Sequence, residues 1–180
     1  MEKNIYSGTK TEANLWRAFR GESEARNRYS YFASIAKKEG YEQIASLLLK
    51  AADNEKEHGE LWFKALGELG DTRENLFSQA RSEHCEWTEM YRHMAEDAER
   101  EGFSELANQF RGVAAIEKNH EELLHILIRN LEEDRVFQRC GIVVWECRNC
   151  GHIEIGGEAP PECPVCHHGR SYFEIKSENY

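Results

Sequence analysis

The chain has 180 residues, 40% hydrophobic and 31% charged, enough for one ordinary domain or a modest domain with a small companion. Thirty-three acids against 23 bases leave a formal charge of −10, the wrong sign for gripping nucleic acid or an anionic membrane. No apolar stretch approaches the length of a membrane span, and Met1-Glu2-Lys3-Asn4 lacks the apolar run of a secretory leader, so the sequence predicts a cytoplasmic protein.

From the N-terminus to Ala159 there is no proline, and hydrophobic periodicity predicts four helices over 9–39, 41–69, 73–100 and 103–134. Gly40, Gly70-Asp71 and Gly102 mark their ends. Composition changes near residue 135: all three prolines and five of the six cysteines follow. The sequence therefore predicts a mainly α region over 1–134, a linker over 135–144 with the β-branched run Ile142-Val143-Val144, and a small β-rich domain over 145–180. The helical region also repeats itself. A shift of 62 residues carries Glu24 onto Glu86, Tyr29 onto Tyr91, Glu39-Gly40-Tyr41 onto Glu101-Gly102-Phe103 and Glu55-Lys56-Glu57-His58 onto Glu117-Lys118-Asn119-His120. Two related helix pairs predict a four-helix bundle with internal pseudo-two-fold symmetry.

Charged residues sit in the middle of otherwise apolar stripes. The second helix runs Ile44, Leu48, Ala51, Glu55, His58, Trp62, Ala65, and the fourth runs Leu106, Phe110, Val113, Glu117, His120, Leu124, Leu127. Glu22 in the first helix and Glu83 in the third lie on comparable lines, with Glu86 one turn further along the adjoining edge. A bare carboxylate buried in a bundle costs several kcal/mol, and five converging carboxylates also repel one another. Two divalent cations nearly neutralise them. One Glu from each of two helices plus Glu-x-x-His from each of the other two is the di-iron carboxylate arrangement. The repeat is imperfect at one point, because the 62-residue shift carries Glu22 onto His84 and not Glu83. A one-residue π insertion in the third helix would turn Glu83 into the site. His84, His93, His125 and His152 show no such pairing and read as ordinary polar residues.

The C-terminal region holds Cys147-Arg-Asn-Cys150 and Cys163-Pro-Val-Cys166, with 12 residues between the pairs. Two C-x-x-C knuckles make a tetrahedral sulfur site, and the spacing fits a structural zinc or a single redox-active iron. Cys85 and Cys140 have no such partner and read as reduced thiols without a special role.

Together these stretches resemble the rubrerythrin family. They are Gly21-Glu22-Ser23-Glu24-Ala25-Arg26-Asn27-Arg28-Tyr29, Glu55-Lys56-Glu57-His58, Glu83 through Tyr91 and Glu117-Lys118-Asn119-His120, followed by a rubredoxin-like ending from Cys147 to Cys166. The resemblance implies a ferritin-like bundle with two irons and a mononuclear iron on Cys147, Cys150, Cys163 and Cys166, with zinc a substitute in a recombinant preparation. It implies a cytoplasmic hydrogen peroxide reductase protecting against oxidative stress, linked to NAD(P)H through an external rubredoxin or flavin reductase. Glu55 and Glu117 would bridge the irons, Glu22 and Glu83 would be terminal ligands, and His120 would hold one iron. Glu86 and His58 would exchange at the other, and Tyr29 and Tyr91 would hydrogen-bond ligand carboxylates. The competing reading within the ferritin-like class is a ferroxidase that stores iron.

Two features depart from the better-known family pattern. His167 follows Cys166 where rubredoxins often have Gly. Only 24 residues separate His58 from Glu83, too few for the long crossover of a ferritin-like bundle. Either the helices run up-down-up-down in a monomer, or two chains exchange helix pairs in a homodimer. Exchange is the preferred expectation because it preserves the site.

Overall fold

The computed structural model describes residues 4–177. It divides into two units, residues 1–75 and 76–180. The fold class is the expected one, mainly α with four long helical segments followed by a small antiparallel sheet. Among the described residues no helix is long and apolar enough to cross a membrane.

In the first unit, α1 (Lys10–Lys38) packs along α2 (Glu42–Ala65). Thr9 starts α1: its Oγ1 accepts the amide of Glu12, whose carboxylate reaches back to the amide of Gly8 at 2.7 Å. Small residues form the buried part of the contact between the helices, and Phe19 of α1 stacks on Phe63 of α2 with ring centroids 4.8 Å apart. Ala33, Ala36, Ala45 and Ala52 are buried, whereas Ile35, Ile44, Leu47 and Leu61 are more than half exposed.

The second expected helix is shorter than the periodicity implied. It stops at Ala65, because Gly67 and not Gly70 takes the left-handed conformation (φ 76°). The amides of Gly67 and Glu68 then return to the carbonyls of Lys64 and Phe63, the paired bonds of a helix C-terminus. Gly70 instead belongs to the start of the next helix. There Asp71 and Glu74 exchange side-chain-to-amide bonds of 2.8 and 3.1 Å.

The second unit contains most of the third helix, α3 (Thr72–Cys85), continued through a π turn (Glu86–Met90) into α4 (Tyr91–Arg100). The amide of Tyr91 bonds the carbonyl of Glu86, so one extra residue is inserted, as the imperfect repeat predicted. Helix α5 (Ser104–Glu132) packs against α4 and the π turn. Ala95, Ala98, Ala107 and Ile128 are buried here, while Ile116, Leu123 and Ile126 stay at least half exposed.

Strands β1 (Gln138–Cys147), β2 (Ile153–Glu158) and β3 (Phe173–Ile175) form a sheet in the order β2-β1-β3. Much of the segment expected as a linker, 135–144, is thus strand. Val143 and Val144 pair with Gly156 and Ile155, and the register breaks between Gln138 and Val143. β-Branched side chains favour the paired, half-buried strand surface over an open connection. Trp145, Cys147, Ala159, Cys163 and Phe173 form the core of this part, with Trp145 donating to the carbonyl of Gly156 at 3.2 Å.

Candidate metal centres

Each helix pair brings one Glu-x-x-His motif to a glutamate of its neighbouring helix. In the first unit Nδ1 of His58 lies 2.9 Å from Glu55 Oε2 and 3.8 Å from Glu22 Oε2. In the second, Nδ1 of His120 lies 2.7 Å from Glu117 Oε2 and 3.9 Å from Glu83 Oε2. The two trios repeat one another closely, and in each the donor atoms fall within 4.8 Å of one another. His58 beside it, then Glu22, holds the Glu55 carboxyl below the usual carboxylate range.

Among the described residues Glu83 is the one buried charged side chain, 9% exposed, and Gln79 donates to its Oε1 at 2.8 Å. One amide donor does not compensate a buried carboxylate. Two carboxylates and an imidazole suit a divalent cation such as iron, so the donor set fits the group it was expected to hold.

Tyr91 stands among the carboxylates of the second trio. Burial first, and then Glu117, Glu86 and Glu83, push its phenol above the usual tyrosine range. Tyr29, the matching residue of the first unit, is half-buried beside Ala25, Arg28 and Phe32. Glu86 is not brought into the second trio. Its Oε1 accepts from Ser82 Oγ at 3.1 Å.

A further group was not legible as a site. Glu121, one residue beyond His120, accepts from Trp87 Nε1 at 2.5 Å and lies 3.0 Å from His84 Nδ1 and 3.4 Å from His125 Nε2. These partners, Trp87 first, keep its carboxyl below the usual range. His84 and His125 are therefore tied to one carboxylate rather than being independent polar residues. The signal available in the sequence was the three-to-four spacing of Glu121 and His125, common on any solvated helix.

The four cysteine sulfurs of the sheet domain also lie within 4.8 Å of one another, with Cys147–Cys166 at 3.7 Å and Cys150–Cys163 at 3.6 Å. Cys147 and Cys163 are buried in the core, Cys166 is half-buried and Cys150 exposed. The knuckles repeat one backbone pattern. Gly151 donates to Cys147 O at 2.8 Å and His167 to Cys163 O at 3.0 Å, and the next amides, of His152 and His168, reach the sulfurs of Cys150 and Cys166. The amide of His168 leads in pulling the Cys166 thiol down to about 5. Against the pull of the His152 amide, Cys166, burial, Cys163 and Cys147 push the Cys150 thiol up to about 12. Sulfurs this close do not all ionise without a cation among them.

Gly151 has φ 75° and His167 φ 58°. A side chain at a left-handed position costs roughly 1–2 kcal/mol, and nothing stands within 4 Å of a Cβ added at Gly151. Gly151→Ala is therefore expected to speed metal release from the cysteines to a chelator by roughly 5- to 30-fold. His167→Gly relieves the same strain and gives up only the exposed 2.8 Å contact of His167 with Glu162, so it is expected to slow release by a few-fold. Equal, unchanged rates for both variants would show that the knuckle backbone does not limit metal retention. Cys85 and Cys140 are exposed.

The rubrerythrin family model matches residues 13–128, and the model for the rubrerythrin rubredoxin-like domain matches 145–174. The chain is 45% identical to rubrerythrin-1 of Clostridium acetobutylicum over 96% of this chain and 97% of that one. It is also 45% identical to rubrerythrin of Porphyromonas gingivalis over 100% of this chain and 96% of that one. Among solved structures, fully reduced nigerythrin aligns at 26% identity over 98% of this chain and 91% of that one, with a TM-score of 0.36.

Proposed function

The chain belongs to the rubrerythrin family, and on that premise we propose that it is a non-haem di-iron peroxidase that reduces hydrogen peroxide to water. The observation that carries this reading is the pair of matching Glu-Glu-His trios in one chain with a four-sulfur site. Iron held by the trios would supply the two electrons that, with two protons, take hydrogen peroxide to two waters, and iron held by Cys147, Cys150, Cys163 and Cys166 would pass electrons one at a time from an external reductase. A rubredoxin or a flavoprotein drawing on NAD(P)H is the proposed donor. Residues up to 134 serve the peroxide chemistry and 145–180 the relay.

In this reading Glu55 and Glu117 would be the bridging ligands, Glu22 and Glu83 would each serve one metal ion, and His120 would complete one ligand set. Glu86 and His58 would alternate at the other. A neutral imidazole suits the more reduced ion and a carboxylate the more oxidised one, so the exchange keeps the net charge of the site nearly constant. The resting of Glu86 on Ser82 supports a ligand that enters and leaves. Tyr91 keeps its Oη proton, because burial and three carboxylates disfavour the phenolate, and offers it to those carboxylates. Tyr29 is assigned the same task in the first helix pair.

The active unit is proposed to be a homodimer that exchanges helix pairs. Helix α2 has 24 residues, about 36 Å long. Residues 66–71, which join it to α3, span at most about 20 Å and cannot return along it. The large apolar side chains left exposed on both helix pairs support a second copy as their cover. Each di-iron site then combines Glu22, Glu55 and His58 of one chain with Glu83, Glu86, Glu117 and His120 of the other.

Anaerobic stopped-flow reoxidation of the reduced, iron-loaded protein tests the activity through the visible band of the cysteine-bound iron. Fast recovery with hydrogen peroxide and slow recovery with dioxygen is the expected result. Fast recovery with dioxygen alone, with continued uptake of added iron(II), would replace the peroxidase by a ferroxidase and iron store.

A further inference from the structure

The two helix pairs differ where Glu121 stands. At the equivalent position of the first pair, 62 residues earlier, is Gly59. A Cβ there would lie 3.7 Å from Cβ of Glu22 and 3.9 Å from Phe19, so a longer side chain would meet the ligand-bearing part of α1. Helix α1 passes this point as an uninterrupted α-helix. In the second pair the glycine is replaced by Glu121, and the facing helix carries the π turn at Glu86–Met90.

The inserted residue decides which neighbour faces the metal. Counting back from Tyr91 in the phase of the first pair, the counterpart of Glu22 is His84. With the π turn it is Glu83 that joins Glu117 and His120, while His84 lies 3.0 Å from Glu121. Trp87, inside the π turn, is bonded to the other oxygen of the same carboxylate. Glu121 therefore grips the helix just before the π turn and within it. His125 at 3.4 Å braces the carboxylate from its own helix, and Lys118 stands over the Trp87 ring at 5.8 Å.

We propose that Glu121 is a positioning residue that holds His84 out of the metal site and keeps the π turn that presents Glu83 to it. The proposal rests on the di-iron reading for its catalytic consequence, but its structural content is independent of metal.

The test is Glu121→Ala, with Glu121→Gln as the conservative rescue, since an amide still accepts from Trp87 and reaches His84. In the metal-free crystal structure of Glu121→Ala, residues 84–91 are expected to revert to an α ladder, with the Tyr91 amide on Trp87 O and His84 beside His120. In the iron-loaded, mixed-valent protein, nitrogen hyperfine spectroscopy is expected to show one additional histidine, absent from the Glu121→Ala, His84→Ala double variant. Peroxide reduction per bound iron falls roughly 100-fold, and Glu121→Gln keeps the native spectrum and rate. Should Glu121→Ala fail to fold, Trp87→Phe removes the same hydrogen bond with the ring retained and is expected to shift the ladder likewise. A variant that keeps the π turn, with Glu83 still beside His120 and no added histidine nitrogen, overturns the proposal. Absence of a di-iron spectrum in the native protein would instead defeat the functional reading and leave the crystallographic test standing.

Discussion

A mixed dimer of one Glu55→Ala chain and one Glu117→Ala chain, co-expressed with different tags, will recover about half of the native peroxide reduction that neither homodimer performs. Groups that merely orient metal ligands are worth 10–100-fold, so losing a carboxylate proposed to bridge the metal ions is expected to cost at least about 100-fold, leaving each variant alone effectively inactive. Helix-pair exchange makes the mixed dimer different. Its first site draws an altered trio from each chain. Its second pairs the intact Glu22-Glu55-His58 trio of the Glu117→Ala chain with the intact Glu83-Glu117-His120 trio of the Glu55→Ala chain. If each chain built its own site, every site in the mixed dimer would lack one bridge and no activity would return. Iron content follows the same division, one di-iron site per mixed dimer against two in the native protein. Failure to recover either quantity in a verified mixed dimer would rule out exchange.

What the sequence revealed was set by how local the signal is. Glu55-x-x-His58 and Glu117-x-x-His120 stand out because a charge in an apolar stripe has no ordinary explanation, and both trios assemble. The π turn was readable from a repeat that slips by one residue in the third helix, and it spans Glu86–Met90. The end of α2 was not. Gly67 and Gly70 are three residues apart, and only the return bonds to Phe63 and Lys64 decide which glycine closes the helix. Residues 138–144 read as a linker because Gln138, Arg139 and Gly141 interrupt the apolar pattern, yet pairing with β2 draws them into a strand. Glu121 was invisible for a different reason. Its partners Trp87 and His84 are 34 and 37 residues away, and no pattern along one helix registers a bond to another.

Cys166→Ser is expected to abolish the red colour of the thiolate iron and to reduce donor-driven peroxide turnover to below about 1% of native, while leaving one turnover of the chemically reduced di-iron site within about twofold. Cys166 is the cleaner choice within the sulfur set because it lies at the edge of the core. Cys147 and Cys163 are packed with Trp145 and Phe173, so replacing either also damages the fold of the small domain. The His168 amide that brings the Cys166 thiol down to about 5 supplies the same hydrogen bond to a serine oxygen. A serine hydroxyl remains protonated near neutral pH, however, and is a harder, weaker donor to a site built for four soft thiolates. The two halves of the proposed cycle separate in this variant. Chemical reductant would directly reduce metal held by Glu55, Glu117 and their neighbours, and because none of these residues is altered a single peroxide turnover would remain. Repeated turnover needs the relay and stops. Unimpaired donor-driven turnover in Cys166→Ser would mean that electrons reach the helical site by another route and that the sulfur site is structural.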